Sequence, residues 1–232
     1  MREIILDTET TGLNPASGDR VVEIGALELL NHLPTGRTFH VYINPERDMP
    51  AEAEAVHGLS SGFLAGKPVF SAIAADFLAF IADSVLVIHN ASFDMGFLNA
   101  ELTFLKRPVI PSERVIDTLY LARQKHPGSA NSLDALCRRY GIDNSRRTKH
   151  GALLDSELLA EVYLELIGGR QTALNLVSSA GRKMSSANEL ISSRTGQRPI
   201  PLPGRLSPAE KEAHALFVTG LGEHALWKKA EA

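Results

Sequence analysis

The hydrophobic period of this chain changes near Ser71, and that change limits the possible fold more than any other feature. Before it, apolar residues come in short runs or at alternate positions, as in strands; after it they recur at helical spacing. Ile4-Ile5-Leu6 reads as a buried strand, ended by the turn-forming run Thr11-Gly12-Leu13-Asn14-Pro15. Residues 21–30 and 38–43 read as two further strands. The short, turn-rich link His32-Leu33-Pro34-Thr35-Gly36 predicts that they pair as an antiparallel hairpin. Beyond Ser71, the positions Ile73, Phe77, Phe80 and Ile81 predict a helix. Residues 85–88 and 115–116 are brief apolar strands, set among helices expected over 92–106, 118–125, 132–140 and 150–167. Strands first, then strands alternating with helices, predict an α/β fold: a mixed five-stranded sheet flanked by helices.

Beyond Gly169 the character changes. Residues 171–203 are rich in Ser, Gly, Arg and Pro with little periodicity, and read as a flexible linker. Ser207-Pro208-Ala209-Glu210 predicts a capping box with proline at the first helical position. Ala213, Leu216 and Phe217 extend it into a short helix ending by about Thr219, ahead of Gly220. The expected organisation is a folded domain over 1–169, a flexible linker over 170–206 and a tail over 207–232. No apolar run approaches the ~20 residues that cross a bilayer, and Met1-Arg2-Glu3 leads quickly into acids, so no secretory signal is expected. Cys137 is the sole cysteine, which excludes an internal disulfide and fits a reducing cytoplasm. With a net charge of −3, a polyanion would have to be held locally, by metal ions or a small basic patch.

Four carboxylates sit where solvated acids are not expected. Asp7 and Glu9 are two apart at the exit of the first strand, so both side chains share a face, where like charges repel unless a cation lies between them. Asp94 shares a helical stripe with Phe97, Leu98, Leu102 and Leu105, at offsets of 3, 4, 8 and 11, on the face that should pack on the sheet. Asp155 repeats the pattern with Leu159, Val162 and Leu166, at offsets of 4, 7 and 11. A carboxylate at the margin of a buried stripe is costly unless paired or bound to metal. Singly, each admits a plainer reading: a solvated pair at a strand exit, or a helix-start acid favoured by the dipole. Together they point to ligands for hard cations, Mg²⁺ or Mn²⁺ rather than zinc.

His150 lies five residues before Asp155, about 140° round an ideal helix from it. It is therefore expected in the first turn or the loop before, reaching over the acids, where a histidine suits the deprotonation of an attacking water. The basic run Arg146-Arg147-Thr148-Lys149 is expected to be solvated or to touch a phosphate backbone. Two metal ions about 4 Å apart can activate a water and stabilise the leaving oxygen of an in-line displacement. The constellation predicts metal-assisted phosphodiester hydrolysis; spacing alone gives neither substrate nor direction.

The chain resembles the DEDDh exonuclease superfamily, and within it the proofreading exonucleases of bacterial replicative polymerases. The matching stretches, in order across residues 1–169, are Leu6-Asp7-Thr8-Glu9-Thr10-Thr11-Gly12, Glu23-Ile24-Gly25-Ala26, Val56-His57-Gly58, His89-Asn90-Ala91-Ser92-Phe93-Asp94, Asn131-Ser132-Leu133-Asp134-Ala135-Leu136-Cys137 and His150-Gly151-Ala152-Leu153-Leu154-Asp155. The resemblance implies an RNase H-like fold and 3′→5′ removal of nucleotides from a DNA end. It implies that Asp7, Glu9, Asp94 and Asp155 hold two metal ions, Mg²⁺ or Mn²⁺, with His150 as general base. Asp7, Glu9 and Asp155 would also contact substrate. Glu52 (with Glu54 close by) and His57 match positions near the terminal nucleotide, and Phe93 would line its pocket. Asp117 recurs in the family outside the metal set and reads as a helix cap.

The same resemblance extends to the tail. Gln171-Thr172-Ala173-Leu174-Asn175-Leu176 is similar to a glutamine-led clamp-binding peptide, implicating Gln171, Leu174 and Leu176. The terminal segment, with Leu216, Phe217 and Trp227, resembles a tail that docks on the catalytic (alpha) subunit of DNA polymerase III. The implied partners are thus a single-stranded or frayed DNA 3′ end, that subunit and the sliding clamp, with no membrane. An RNA-trimming DEDDh nuclease would share the core without needing the tail peptides, and a non-catalytic polymerase–clamp tether would be free to lose an acid or the histidine; none is missing.

Overall fold

The computed structural model describes residues 1–147, 149–168 and 207–221. The chain divides into two units, Met1–Leu176 and Val177–Ala232, taken separately here. The first unit opens with three strands, β1 (Arg2–Thr10), β2 (Val21–Leu30) and β3 (Leu33–Tyr42). Two short helices follow, α1 (Ala51–His57) and α2 (Ser61–Leu64), then α3 (Phe70–Ile81). The alternating part is β4 (Val85–Ile88), α4 (Ala91–Phe104), β5 (Val115–Asp117), α5 (Thr118–Lys125), α6 (Leu133–Tyr140) and α7 (Ala152–Leu166). The expected five-stranded mixed sheet is present, in the order β3-β2-β1-β4-β5. β2 lies antiparallel between β1 and β3, and β4 and β5 run parallel to β1.

The alternation of β1 divides the core between the two faces of the sheet. Ile4 and Leu6 pack with Phe77 of α3 and Phe97 and Leu98 of α4. Ile5, pointing the other way, packs with Leu159 and Tyr163 of α7. All of these side chains are almost wholly buried. Arg20, just ahead of β2, clamps the buried Glu101 of α4 through two hydrogen bonds of 2.6 and 2.8 Å, fixing that helix against the sheet.

On the opposite face, α7 comes unusually close to β2. A methyl group at Gly25 would lie 2.1 Å from the Leu153 amide nitrogen, so only glycine permits the approach. Ser156 closes it by donating to the Gly25 carbonyl at 2.9 Å. Gly25 stands opposite Asp7 in the β1–β2 register, so this contact brings the start of α7 over the C-terminal half of β1.

Three local features depart from expectation. β3 begins at Leu33 rather than at residue 38, and the hairpin turns on Asn31 and His32 alone, both with positive φ (51° and 66°). Pro34 and Gly36, which read as turn residues, lie instead in an edge strand beyond a register shift, where a missing donor costs little. α1 and α2 were not foreseen. The Ala/Glu run of α1 favours helix, but the element is short and buries only His57, so it carries no apolar stripe to read.

In the second unit, α8 (Pro208–Gly220) carries the expected capping box. The Ser207 hydroxyl oxygen accepts from the Glu210 amide, and the Glu210 carboxylate accepts from the Ser207 amide at 2.7 Å. Leu216 and Phe217 are exposed, at 69% and 64%. Gln171, Leu174, Leu176 and Trp227 lie outside the described residues. Among the described residues, no helix is long and apolar enough to cross a membrane.

Candidate active site

The site forms where the sheet becomes uneven. β4 pairs with β1 only as far as Ile5 opposite Val87, while β1 continues to Thr10 against β2. On the β4 side the last residues of β1 therefore have no strand neighbour, and helix starts reach in. Asp94 and Asp155 are each the fourth residue of their helices, α4 and α7, and both are 3% exposed. Asp94 Oδ1 accepts from the Thr8 amide at 3.0 Å and the Thr8 hydroxyl at 2.7 Å, taking the place of a strand partner. Asn90 turns the chain into α4 with a left-handed φ of 64°. Asp117, besides capping α5 as expected, accepts from the Asn90 amide at 3.1 Å and steadies that turn.

Glu9, His150 and Asp155 each present a ligand atom within 4.8 Å of one another. His150 lies in the loop ahead of α7, held by its amide to the Val56 carbonyl (3.2 Å), with Nδ1 3.3 Å from Asp155 Oδ2. Leaving the helix is what lets the ring reach Asp155.

Arg147 corrects the expectation of a solvated basic loop. Its side chain is only 7% exposed. The guanidinium bonds both oxygens of Asp155 (2.7 Å to Oδ2), donates to Asp134 at 2.9 Å and meets His150 Nδ1 at 2.7 Å. A guanidinium can only donate, so it meets the imidazole at a lone pair. Nothing in the hydrophobic pattern marks this arginine, and Arg138, Arg139, Arg146 and Lys149 also lie between Asp134 and Asp155, so the two acids alone did not single it out.

The electrostatics of the cluster call for further positive charge. Burial pushes Asp7 well above the usual carboxylate range, and Asp94, Glu9 and Asp155 push it further. Glu9 rises to about 8 through burial and then the charges of Asp155 and Glu23. Asp94 rises to about 7 through burial, despite the Thr8 hydrogen bonds. For Asp155 burial also acts upward, but the bonds from Arg147 outweigh it and hold the group low. Four carboxylates thus face one guanidinium, and their all-oxygen donors fit hard divalent cations.

These shifts set a sign. Carboxyls raised on folding bind more protons folded than unfolded, so their contribution to stability falls as pH rises from about 4 towards 8. In a chelator the melting temperature is expected to fall by roughly 5 °C between pH 5 and pH 8; excess Mn²⁺ should abolish the fall. A melting temperature that rises with pH in the chelator would count against the charge assignment.

Two clefts border the acids. One, of about 530 Å³, is lined by Glu9 and by Leu13, Glu52, Val56, His57 and Phe93, among others. Of the six residues expected to contact substrate, this cleft gathers Glu9, Glu52, His57 and Phe93, with Glu52 rather than Glu54 on the wall, while Asp7 and Asp155 border the other cleft. His57 accepts from the Leu59 amide through Nδ1 at 3.0 Å. Its buried Nε2 has no hydrogen-bond partner among the described residues, and burial lowers its proton affinity. The other cleft, of about 770 Å³, is lined by Asp7, Arg123, Ser132, Arg147, His150 and Asp155, with others from α5 and α6.

A mixed sheet in this order, with carboxylates gathered at the end of β1, defines a nuclease of the exonuclease class. The sequence pattern of the family described as Exonuclease matches residues 4–163. The chain belongs to this family, in the branch formed by the epsilon subunits of bacterial DNA polymerase III. It is 51% identical over 224 residues to the DNA polymerase III subunit epsilon of Rickettsia felis, covering 95% of this chain and 97% of that one. To the same subunit of Escherichia coli K12 it is 50% identical over 176 residues, 73% of this chain and 72% of that one. Among solved structures, exonuclease X in complex with 5′ overhanging duplex DNA superposes with a TM-score of 0.55 at 26% identity, covering 71% of this chain and 90% of that one. Exonucleases of this superfamily use divalent metals, and the clustered carboxylates and His150 suit that use.

Proposed function

We propose that this chain is the proofreading subunit of a replicative DNA polymerase, a 3′→5′ exonuclease that hydrolyses the terminal phosphodiester of a mispaired DNA 3′ end and releases a nucleoside 5′-monophosphate. The observation that carries the reading is the gathering of Asp7, Glu9, Asp94, Asp155 and His150 at one sheet end, between two clefts. Asp7, Glu9, Asp94 and Asp155 would hold two divalent ions, Mg²⁺ or Mn²⁺, which when bound activate the attacking water and stabilise the leaving 3′ oxygen. His150 takes the proton from that water. The terminal nucleoside occupies the Phe93 cleft, its base and sugar against Leu13, Val56 and Phe93, with Glu52 and His57 supplying polar contacts.

The wider role draws on the likeness of the whole chain to epsilon subunits. Residues 1–169 form the exonuclease domain, 170–206 the tether with a clamp-binding peptide at Gln171, Leu174 and Leu176, and 207–232 the polymerase-binding tail. Leu216 and Phe217 on α8, with Trp227, dock on the alpha subunit in the cytoplasm. A short helix with two large exposed apolar side chains suits burial against a partner.

The test is digestion of 5′-labelled primer–template DNA with Mg²⁺ or Mn²⁺. A mismatched terminal nucleotide should leave about tenfold faster than a paired one, which must first give up roughly 1.4 kcal/mol of stacking. The double substitution Leu216→Ala/Phe217→Ala should abolish co-elution with the polymerase catalytic subunit and leave single-strand digestion unchanged. Faster digestion of RNA than of DNA, or none with either metal, would defeat the reading.

A further inference from the structure

The larger cleft has no assigned ligand. It shares no lining residue with the Phe93 cleft, and the acids divide between them: Asp7 and Asp155 border the larger, Glu9 the smaller. A polynucleotide whose scissile bond lies at the acids must occupy both, with the leaving nucleoside in one and the retained strand in the other. The retained strand is a polyanion, so its cleft needs positive charge that the acids do not already consume.

Two arginines line it. Arg147 is committed to Asp155 and Asp134. Arg123, on α5 with Leu119 one turn before it on the same wall, is exposed. It makes no side-chain hydrogen bond or ion pair with any described residue, so its guanidinium is available to a ligand. The one acid lining this cleft outside the metal cluster, among the described residues, is Asp134, already engaged by Arg147 at 2.9 Å and Asn144 at 3.0 Å. Ser132 lines the same cleft; its hydroxyl oxygen accepts from the Ala135 amide at 3.3 Å, which leaves its own proton to donate. A planar guanidinium fork and a donating hydroxyl lining one cleft suit the two free oxygens of a phosphodiester.

We infer that Arg123, assisted by Ser132, binds a phosphodiester of the retained strand on the 5′ side of the scissile bond. The subsite rests on the exonuclease reading above and adds to it how the enzyme grips what it does not release. Arg123 is a binding residue here and touches no reacting atom.

The test compares two substrates in the full chain with Mn²⁺: a single-stranded DNA oligonucleotide, and the p-nitrophenyl ester of thymidine 5′-monophosphate, which has the scissile phosphate and terminal nucleoside but no retained strand. Arg123→Gln should raise KM for the oligonucleotide about tenfold with little change in kcat. It should also flatten the dependence of log kcat/KM on log salt by about 0.7, the loss of one phosphate contact on a single strand. Ester hydrolysis should be unchanged, and Arg123→Lys should restore the salt slope. Unchanged KM and salt slope for Arg123→Gln would overturn the subsite. So would a parallel loss on the ester, which would place Arg123 in the fold or the chemistry. Parent protein that cleaves neither substrate would instead overturn the exonuclease reading, and the subsite with it.

Discussion

Asp7→Ala is expected to lower kcat by at least about 10⁴-fold, some 5.5 kcal/mol of transition-state stabilisation, while making the metal-free protein more stable. Both effects have one origin. Asp7 stands between the two helix-borne acids, desolvated and repelled by Asp94, Glu9 and Asp155. That crowding is tolerable only with cations present, and it is what a metal site for phosphodiester hydrolysis requires. Removing the carboxylate takes away a ligand that the remaining acids cannot replace, and also relieves the repulsion. At pH 8 in a chelator the melting temperature should rise by about 3 °C for each kcal/mol relieved. Single-turnover hydrolysis of an oligonucleotide and calorimetry on the same preparation check the two halves. Activity within tenfold of the parent would sink the ligand role; an unchanged melting temperature would show that the cluster carries no such strain.

His150→Ala should cost about 10² to 10⁴ in kcat, the range of a lost general base. The structure leaves His150 two uses, since one ring nitrogen lies within 4.8 Å of a Glu9 and an Asp155 oxygen, close enough to share an ion with them. Its setting favours proton transfer. The side chain is 48% exposed and sits in a loop rather than on α7. Mn²⁺ affinity separates the uses: it should stay within about threefold of the parent, whereas a lost metal ligand weakens binding by an order of magnitude or more. A tenfold weaker Mn²⁺ affinity in His150→Ala would reassign the residue to the metal.

How much of this was open to inspection in the sequence depends on whether a residue's partner is near it along the chain. Strand and helix limits set by local pattern were readable: β2, β4 and α5 begin and end where expected, and Ser207 caps its helix as expected, while Ser132, read as the first residue of α6, turns out to cap it. The burial of Asp94 and Asp155 was readable too, because each carries its apolar stripe beside it. Arg147 was not, since its burial comes from Asp134 on another helix and Asp155 across a loop. α1 escaped because an exposed seven-residue helix has no periodic face. Pro34 and Gly36 misled because their cost depends on being at a sheet edge, a fact of topology rather than of neighbours. The division of the acids between two clefts is likewise a property of the assembled sheet end.

The seat of α7 on β2 bears on what this site can withstand. Side chains hold most helices on sheets, and substitutions among them shift the helix by fractions of an ångström as volumes change. Where Gly25 meets Leu153 the two main chains touch directly, and Ser156 ties them with a bond to a peptide carbonyl. The separation of Asp7 from Asp155 is therefore set by peptide geometry, which every amino acid shares, rather than by rotamers, which drift. Neutral turnover of the surrounding apolar residues can proceed without altering the bite of the acids, provided that one hydrogen atom at position 25 never becomes a methyl.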